Sequence, residues 1–262
     1  MGVQNSAVIA VINNKGGVGK TTTSVNLSAA LAAPRQPVLL VDLDSQASAS
    51  LWCGVARSRL NPSSAACLTG NYPIDRAIRS TPTDNMDLVT GSLDLANTDV
   101  ALCDIAGREK ALADALGPVR RRYHTIMLDC PPSFSLLGVN ALMAADALIV
   151  PVTPQALAYE GLVSVLNTVD EVRSRLRTKA TVLGILLTMV GRDQDCAELC
   201  RRIRKQFRDR VFQTEILTSA ALRKAPAAAK TIFAFAPRSS AASAFRRLAE
   251  EVVERIRDRR RG

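Results

Sequence analysis

The 262-residue chain contains only one histidine, His124, and its six cysteines include no C-x-x-C pair. Cys196 and Cys200 are spaced to share a helix face, but two thiolates are too few for a closed zinc site, so we expect reduced, structural thiols. No apolar run approaches the roughly 20 residues that a membrane-spanning helix needs. The N-terminus also lacks a charged stretch followed by an apolar signal core. We therefore expect a cytoplasmic protein.

Composition and charge indicate the number of domains and the kind of ligand. Hydrophobic residues make up 47% of the chain, which is enough to bury one sizeable α/β core, so we expect a single domain over residues 1–262. The net charge of +10 is uneven, because residues 192–262 contain 18 Lys and Arg against 9 Asp and Glu. Such asymmetry is typical of a surface that binds a polyanion, and DNA and anionic lipid are the candidates.

Apolar runs alternate with helical patterns along the whole chain. Continuously apolar strands that are each followed by a helix predict a doubly wound, mostly parallel sheet with helices on both faces. The ligand of such a sheet is expected at the carboxyl ends of its strands. The predicted strands are Ala7–Ile12, Val38–Val41, Asp87–Val89, Thr125–Leu128, Ala147–Val152 and Thr181–Thr188. The predicted helices are Thr21–Ala33, Leu93–Leu116, Ala156–Arg175, Cys196–Arg208 and Ser240–Arg259, with residues 53–84 as an irregular excursion that holds a short helix near Asp75–Ile78.

A glycine-rich loop connects the first predicted strand to the first predicted helix, with the sequence Asn14-Lys15-Gly16-Gly17-Val18-Gly19-Lys20-Thr21-Thr22. Its glycines let backbone N–H groups turn inward around phosphate oxygens. Lys20 can reach the terminal phosphates, and the Thr21 hydroxyl can ligate Mg²⁺. The loop therefore predicts binding of a nucleoside triphosphate. A second lysine, Lys15, is either aimed at a phosphate across a subunit interface or simply solvated.

Two further predicted strands end in aspartate, where a phosphate and metal site needs carboxylates. The first is followed by Asp42-Leu43-Asp44-Ser45-Gln46, and the second ends in Asp129-Cys130-Pro131. Asp129 can hold the Mg²⁺ shell through water, as a Walker B aspartate does, or it can merely cap a turn. Strand alternation predicts that Asp42 and Asp44 point to one side, so that both could face the nucleotide.

The block KGGVGKTT at residues 15–22 resembles the deviant Walker A motif of the ParA/MinD family of P-loop ATPases. Residues 42–46 resemble the switch I motif of that family, D-x-D-P-Q, with Ser45 in place of the proline and Gln46 retained. The resemblance covers almost the whole chain. It implies a deviant Walker A P-loop fold and an ATPase that requires Mg²⁺ and forms a sandwich dimer, in which Lys15 reaches the nucleotide of the partner subunit.

The resemblance also implies roles for individual residues. Asp44 positions the attacking water, and Asp42 joins Thr21 and Asp129 around the metal. Water positioning without a strong general base usually gives slow hydrolysis. We therefore expect hydrolysis to time the lifetime of the ATP-bound state rather than to serve metabolism. The implied catalytic residues are Lys15, Lys20 and Asp44. The implied nucleotide contacts are Lys15, Gly16, Gly17, Val18, Gly19, Lys20, Thr21, Thr22, Gln46, Met189 and Leu217.

In ParA proteins the ATP-bound dimer binds DNA without sequence preference, through basic residues of the C-terminal region. That pattern places arginines before Leu222, where this chain has Thr218 and Ala221, so the patch is expected to be shifted. The implied DNA contacts are Arg192, Arg223, Lys224, Lys230, Arg246 and Arg247. The nucleotide loop begins at residue 14, which leaves no room for a preceding helix-turn-helix, so we expect no sequence-specific operator binding.

The resemblance thus implies a nucleoid-associated ATPase that positions a cargo while a partner stimulates hydrolysis. The cargo is a plasmid or chromosome partition complex with a ParB-like protein, or a protein assembly such as a carboxysome with its own adaptor. The first alternative is a MinD-like ATPase on a membrane surface, but the apolar stripe from Phe245 to Ile256 coincides with the expected last core helix. The second is a metabolic or electron-transfer enzyme of the same superfamily, such as the nitrogenase iron protein, for which only Cys103 and Cys130 are candidate cluster ligands.

Overall fold

The computed structural model describes residues 6–155 and 158–261. Eight strands in this part of the chain form one sheet with the order β3-β4-β2-β5-β1-β6-β7-β8. All neighbouring pairs are parallel except β3 with β4. The strands are β1 Ala7–Val11, β2 Val38–Asp42, β3 Arg79–Ser80, β4 Met86–Val89, β5 Thr125–Asp129, β6 Ala147–Val152, β7 Thr181–Val190 and β8 Ile216–Leu217. The prediction of a doubly wound, mostly parallel sheet is confirmed.

Helices cover both faces of the sheet. They are α1 Lys20–Leu31, α2 Ser48–Trp52, α3 Ser64–Leu68, α4 Ile74–Ala77, α5 Thr98–Ala101, α6 Ala111–Leu116, α7 Leu136–Ala144, α8 Ala158–Leu176, α9 Gln194–Phe207, α10 Ala220–Lys224, α11 Ile232–Phe235 and α12 Ser240–Arg261. Short 3₁₀ helices lie at Arg57–Arg59, Leu93–Asn97, Arg108–Lys110, Arg120–Arg122, Arg208–Arg210 and Pro226–Ala228. Residues 156 and 157, the predicted start of the helix before Arg175, lie outside the described residues.

The central strands divide their side chains between two hydrophobic clusters, because successive strand residues point to opposite faces. In β1, Val8 and Ala10 pack with α6, α7 and α8, whereas Ile9 and Val11 pack with α1 and α12. Burial on both faces explains why the strands are apolar throughout rather than alternating. α12 is a core helix, since its residues Phe245, Leu248 and Val252 belong to the second cluster.

The predicted single helix over Leu93–Leu116 is wrong. Residues 93–116 form two 3₁₀ turns and two short α-helices, and Gly107 between them has a φ of +77°, which ends helical continuity. The Ser92 side chain accepts a hydrogen bond from the Asp94 N–H and starts the first turn. The Asp99 carboxylate accepts a hydrogen bond from Leu137 N–H of α7 (3.2 Å). Local caps and this tertiary contact therefore outweigh the alanine-rich helical pattern.

Two short strands are absent from the predicted set. β3 lies in the excursion at residues 53–84 and extends the sheet edge with an antiparallel pair, while β8 pairs with the end of β7. Each has two residues, so neither leaves an apolar run that a pattern could reveal. The excursion also contains α3 and the predicted short helix, which is α4.

Candidate functional site

The sheet order brings the predicted site together at the carboxyl edge. β5 lies between β2 and β1, and its last residue Asp129 is in register with Asp42 of β2 and with Val11 of β1. The glycine-rich loop leaves β1 at this same point. The two carboxylates and the loop therefore share one edge, as the sequence predicts for a ligand site of a doubly wound sheet.

Strands β6 and β7 hold the glycine-rich loop at two points. Asn13 is buried, its amide group donates to the Pro151 carbonyl of β6 (2.7 Å), and its Oδ1 accepts from Lys15 N–H (2.9 Å). Farther along, the Thr188 hydroxyl of β7 donates to the Val18 carbonyl (2.8 Å). These contacts fix the path of the loop from two strands that the motif itself does not include.

The loop geometry suits an anion. Gly17 and Gly19 have φ values of +73° and +86°, a region that favours glycine. A Cβ added at Gly16 or Gly17 would meet no atom within 4 Å, so the space beside the loop is open. No side chain caps the N-terminus of α1, and its first turn contains no acidic residue. Free N–H groups at a helix N-terminus, where the helix dipole is positive, form an anion-binding site.

The two lysines of the loop differ in environment. Lys20 is only 7% exposed, and its ammonium donates to the Lys15 carbonyl (3.0 Å). Burial lowers the pKa of Lys20, while Asp129, Cys130 and Asp44 oppose that shift. Lys15 is exposed at the carboxyl edge. Lys20 thus faces the interior of the site, and Lys15 faces outward from it.

Asp129 is fully buried at the end of β5. Its Oδ1 accepts from the Ser24 hydroxyl (2.8 Å), whereas its buried Oδ2 accepts no hydrogen bond within the described residues. Burial raises the pKa of Asp129 to about 7, the charge of Asp42 adds to the shift, and the Ser24 and Thr21 hydroxyls oppose it. An unpartnered buried carboxylate oxygen needs a cation or a water to satisfy it. Beside the Thr21 hydroxyl, this oxygen fits the donor set that Mg²⁺ prefers.

Strand alternation does not set the direction of Asp44 relative to Asp42, because β2 ends at Asp42 and Asp44 lies beyond it. That both carboxylates face the nucleotide stays a prediction. Asp42 is fully buried. Its Oδ2 accepts from the Ser50 N–H and hydroxyl (2.9 and 2.6 Å), and its Oδ1 accepts from Asp44 N–H (3.1 Å). Burial raises the pKa of Asp42 to about 6, against these hydrogen bonds. Asp42 is therefore bound to α2 and to the Asp44 loop, and its place around the metal stays a prediction.

Asp44 itself is half-buried, and its carboxylate accepts from Gln46 N–H (3.0 Å), which shapes the turn into α2. Gln46 is exposed at the same edge. Asp44 is close enough to Lys20 to influence the pKa of that lysine. The structure thus brings the implied catalytic residues Lys20 and Asp44 together, with Lys15 on the rim.

Four residues that support the site were missed by the sequence analysis: Asn13, Ser50, Gly91 and Thr188. Gly91 follows β4, its N–H donates to the Ser50 hydroxyl (2.9 Å), and a Cβ there would lie 2.7 Å from the Asp44 carbonyl oxygen. The one available signal was the position of Gly91 just after a strand at the carboxyl edge. Asn13 and Thr188 pair with residues 138 and 170 positions away, and Ser50 pairs with Asp42 8 positions away without belonging to a recognised motif, so none of the three left a pattern.

Met189 and Leu217, the implied adenine contacts, lie at the ends of β7 and β8. They are 40% and 44% exposed, which is unusual for large apolar side chains in this chain. Met189 has a φ of +49°, and its carbonyl accepts from the Thr218 hydroxyl (3.1 Å). An exposed apolar pair at the carboxyl edge is suited to an aromatic base, and their contact with adenine stays a prediction.

The six implied DNA contacts are all exposed: Arg192, Arg223, Lys224, Lys230, Arg246 and Arg247. Arg192 follows β7, while Arg223 and Lys224 end α10. Arg246 lies on α12, with its guanidinium 5.1 Å from the Phe233 ring centre and 3.3 Å from the Pro237 carbonyl, to which it donates. Nothing in the described structure assigns these residues to DNA, so the patch stays a prediction.

The cysteines are free thiols, and all except the exposed Cys103 are buried. Burial raises the pKa of Cys53 and of Cys200 to about 12, with help from Asp42 and from Cys196 respectively. Cys196 and Cys200 share the buried face of α9, as predicted. Within residues 6–155 and 158–261, no three His, Cys, Asp or Glu side chains cluster as metal ligands, and no helix is long and apolar enough to cross a membrane.

Comparison with known proteins gives consistent matches. Residues 6–182 match the family described as AAA domain. The chain is 39% identical over 247 residues to the sporulation initiation inhibitor protein Soj of Bacillus subtilis, covering 94% of this chain and 98% of that protein. It is 35% identical over 255 residues to the chromosome partitioning protein ParA of Caulobacter vibrioides, covering 96% of each. A solved structure of cobyrinic acid a,c-diamide synthase from Mycobacterium smegmatis, with bound ATP analog and magnesium, is 30% identical with a TM-score of 0.84, covering 96% of each chain.

Proposed function

Because this chain belongs to the ParA/MinD family of P-loop ATPases, we propose that it binds DNA as an ATP-dependent dimer and positions a cargo. The chain is an ATP hydrolase of the ParA type, with ATP and Mg²⁺ as its ligands. The observation that carries the proposal is the joint placement of buried Lys20, the unpartnered Oδ2 of Asp129, and Asp44 beside an open glycine loop.

The phosphates of ATP lie along the loop, where backbone N–H groups at the N-terminus of α1 and the Lys20 ammonium offset their charge. Thr21 and Asp129 would hold Mg²⁺, directly or through water. When bound, the ion would supply positive charge that offsets the charge of the phosphates. Asp44 orients the attacking water, and its position is fixed through Asp42, Ser50 and Gly91. Without a strong general base, hydrolysis is slow. A partner that stimulates it would then control how long the ATP-bound state lasts.

Dimerisation completes the site in this proposal. Lys15 is exposed on the rim and belongs to a loop whose own lysine, Lys20, already serves the phosphates of the same subunit. A second subunit placed edge to edge would receive the Lys15 ammonium at its triphosphate. ATP then becomes the element that joins the two copies, and hydrolysis releases them.

DNA is the favoured partner of the basic C-terminal part. The similarity to the chromosome partitioning protein ParA of Caulobacter supports a partition or positioning role. In that role we propose that a ParB-like or cargo-adaptor protein stimulates hydrolysis. The apolar face of α12 packs in the core instead of facing outward, so its described residues offer no surface for lipid insertion. We therefore propose that the protein acts on the nucleoid in the cytoplasm rather than on a membrane.

The test is DNA binding measured with ATP, with ADP and without nucleotide, at several salt concentrations. Phosphate contacts predict that log affinity falls by about 0.9 per contact per log unit of salt. Neutralising Arg223 and Lys224 should reduce that slope by about one per lost contact. The charge-matched control neutralises the exposed Arg108 and Lys110, which lie outside the basic C-terminal part. DNA binding that does not depend on ATP, or that persists at high salt after Arg223 and Lys224 are neutralised, would contradict the proposal.

Vesicle co-sedimentation and an iron assay separate the alternatives. ATP-dependent binding to anionic vesicles without DNA binding would favour the MinD-like reading. Bound iron with a visible absorption band would favour the electron-transfer reading through Cys103 or Cys130. Identification of proteins that accelerate the ATPase would then name the cargo system.

A further inference from the structure

The segment at residues 225–232, named here the basic loop because Lys230 lies in it and Arg223 and Lys224 precede it, is hydrogen-bonded to two elements of the nucleotide site. The Trp52 indole N–H donates to the Lys230 carbonyl (2.7 Å). The Ile232 N–H donates to Oδ1 of Asn26 (2.7 Å). Trp52 is only 4% exposed and Asn26 is fully buried, so water does not compete freely for either bond.

Asn26 connects the basic loop to the phosphate loop. It lies on α1, the helix that begins at Lys20. Its amide group donates to the Thr22 carbonyl (2.8 Å), so both ends of the Asn26 side chain are engaged. The Asn26 side chain therefore links the first turn of α1 directly to the backbone of Ile232.

Trp52 connects the basic loop to the Asp44 loop. It is the last residue of α2, and Ser50 of the same helix donates from its N–H and hydroxyl to Asp42 (2.9 and 2.6 Å). The Ala47 N–H donates to the Asp44 carbonyl (2.9 Å). α2 is therefore hydrogen-bonded to Asp42 and to the Asp44 turn and, through Trp52, to the Lys230 carbonyl.

The basic loop itself is held in one conformation at this contact. Ala229 has a φ of +50°, and the Lys230 N–H donates to the Ala225 carbonyl (3.2 Å), which closes a turn. The Lys230 side chain is exposed while its carbonyl faces Trp52. Trp52 of α2 thus holds the backbone at Lys230, and this contact sets the position of the exposed Lys230 ammonium that would contact a phosphate.

We propose that Trp52 and Asn26 are positioning residues that transmit nucleotide binding to the basic loop and thereby couple ATP to DNA affinity. The DNA part rests on the proposed function, whereas the movement of the basic loop does not. Coupling between two sites typically changes affinity by about 5–150-fold. A network of this kind is established only by a measured coupling, not by proximity.

The first experiment measures amide hydrogen exchange of residues 225–232 with and without a non-hydrolysable ATP analog and Mg²⁺. The wild-type chain should show a change in exchange in this segment on binding the analog. Trp52→Phe, which keeps an aromatic ring but loses the N–H donor, and Asn26→Ala should each reduce that change at least about threefold. Because both act on one element, the double variant should lose less than the sum of the two.

Thr178→Val is the matched control. The buried Thr178 hydroxyl donates to the Leu142 carbonyl (2.8 Å). Thr178 precedes β7 and lies at the amino ends of the strands, opposite the carboxyl edge that carries the nucleotide site. Loss of the Thr178 hydroxyl removes a buried donor from a backbone carbonyl, as the loss of the Trp52 indole does, and it also leaves the Ala180 N–H without its acceptor (3.2 Å). The control should keep the full response of the basic loop. If it abolishes that response equally, the effect is general destabilisation and the proposal fails.

The second experiment measures the ratio of DNA affinities with ATP and with ADP. Trp52→Phe should lower that ratio about tenfold while affinity for the ATP analog stays within about threefold, an outcome that a change in nucleotide binding alone cannot give. An unchanged exchange response in Trp52→Phe and Asn26→Ala, or no response in the wild type, overturns the proposal. If the wild type binds no DNA with ATP, the proposed function fails while the exchange experiment still decides the coupling.

Discussion

Gly91→Ala is expected to slow ATP hydrolysis without abolishing nucleotide binding. Gly91 packs against the chain turn that carries Asp44, and an added Cβ would lie 2.7 Å from the Asp44 carbonyl oxygen and 2.9 Å from Cγ of Asp42. Both neighbours are held by hydrogen bonds to Ser50 and to the backbone, so neither can rotate away as a flexible side chain would. Either the Asp44 turn or the backbone at Gly91 must therefore shift to relieve the contact.

The magnitude follows from two effects. Overpacking a close-packed site costs about 1–3 kcal/mol of folding stability. A misplacement of about 1 Å in a catalytic group costs about 100-fold in rate, so a smaller shift of Asp44 should lower kcat about tenfold, or about 1.4 kcal/mol in the barrier. The loop that binds phosphate is not touched, so affinity for an ATP analog should stay within about threefold.

The assay combines steady-state ATPase, titration with an ATP analog, and urea unfolding of the free protein. Gly161→Ala in α8 is the control, because a Cβ there would meet nothing within 4 Å. It should keep the wild-type kcat and gain up to about 1 kcal/mol from helix propensity. If Gly91→Ala hydrolyses ATP at the wild-type rate and keeps its stability, the tight packing of the Asp44 turn is not what sets the rate.

Three further predictions follow from the site. Burial raises the pKa of Asp129 to about 7 in the folded protein without nucleotide. Between pH about 4 and about 7 the folded chain therefore keeps a proton that the unfolded chain releases, and folding stability should fall as pH rises through this range. Asp129→Asn should flatten that part of a pH series of urea unfolding curves, and an unchanged pH profile would count against the assignment. Thr188→Val removes the hydroxyl that donates to the Val18 carbonyl, which should weaken binding of an ATP analog about fivefold, or about 1 kcal/mol, in a calorimetric titration. Unaltered affinity would mean that the loop holds its shape without β7. Neutralising Arg223 and Lys224 together should lower DNA affinity about equally for unrelated sequences in a filter-binding assay, whereas a sequence-dependent loss would indicate base contacts.

The strands were predictable because a sheet buried on both faces requires uninterrupted apolar runs. Ala147–Val152 agrees residue for residue with β6, and the other long strands differ by one or two residues at their ends. The helix over Leu93–Leu116 was not predictable in the same way. Its exposed Leu93 and Val100, at 72% and 74%, follow the helical pattern but find no core to pack against.

The sequence predicted the residues that lie within the local motifs of the site, but it missed the residues that hold those motifs in place. The glycine-rich loop, Asp44 and Asp129 are each recognisable from local pattern at a strand end. Asn13 and Thr188 hold the loop through partners 138 and 170 residues away in the chain. Such contacts are created by the sheet order, which places β6 beside β1 and β7 beyond β6, and no local spacing records them.

The central claim is that ATP is shared between two copies of the chain through Lys15. The direct measurement is sedimentation velocity of the wild type and of Lys15→Ala with a non-hydrolysable ATP analog and Mg²⁺, accompanied by nucleotide titration and ATPase rates. The wild type should sediment as a dimer with the analog and as a monomer with ADP. Lys15→Ala should still bind nucleotide through Lys20 yet remain monomeric and fail to hydrolyse ATP. A Lys15→Ala protein that dimerises and turns over ATP like the wild type would contradict the account.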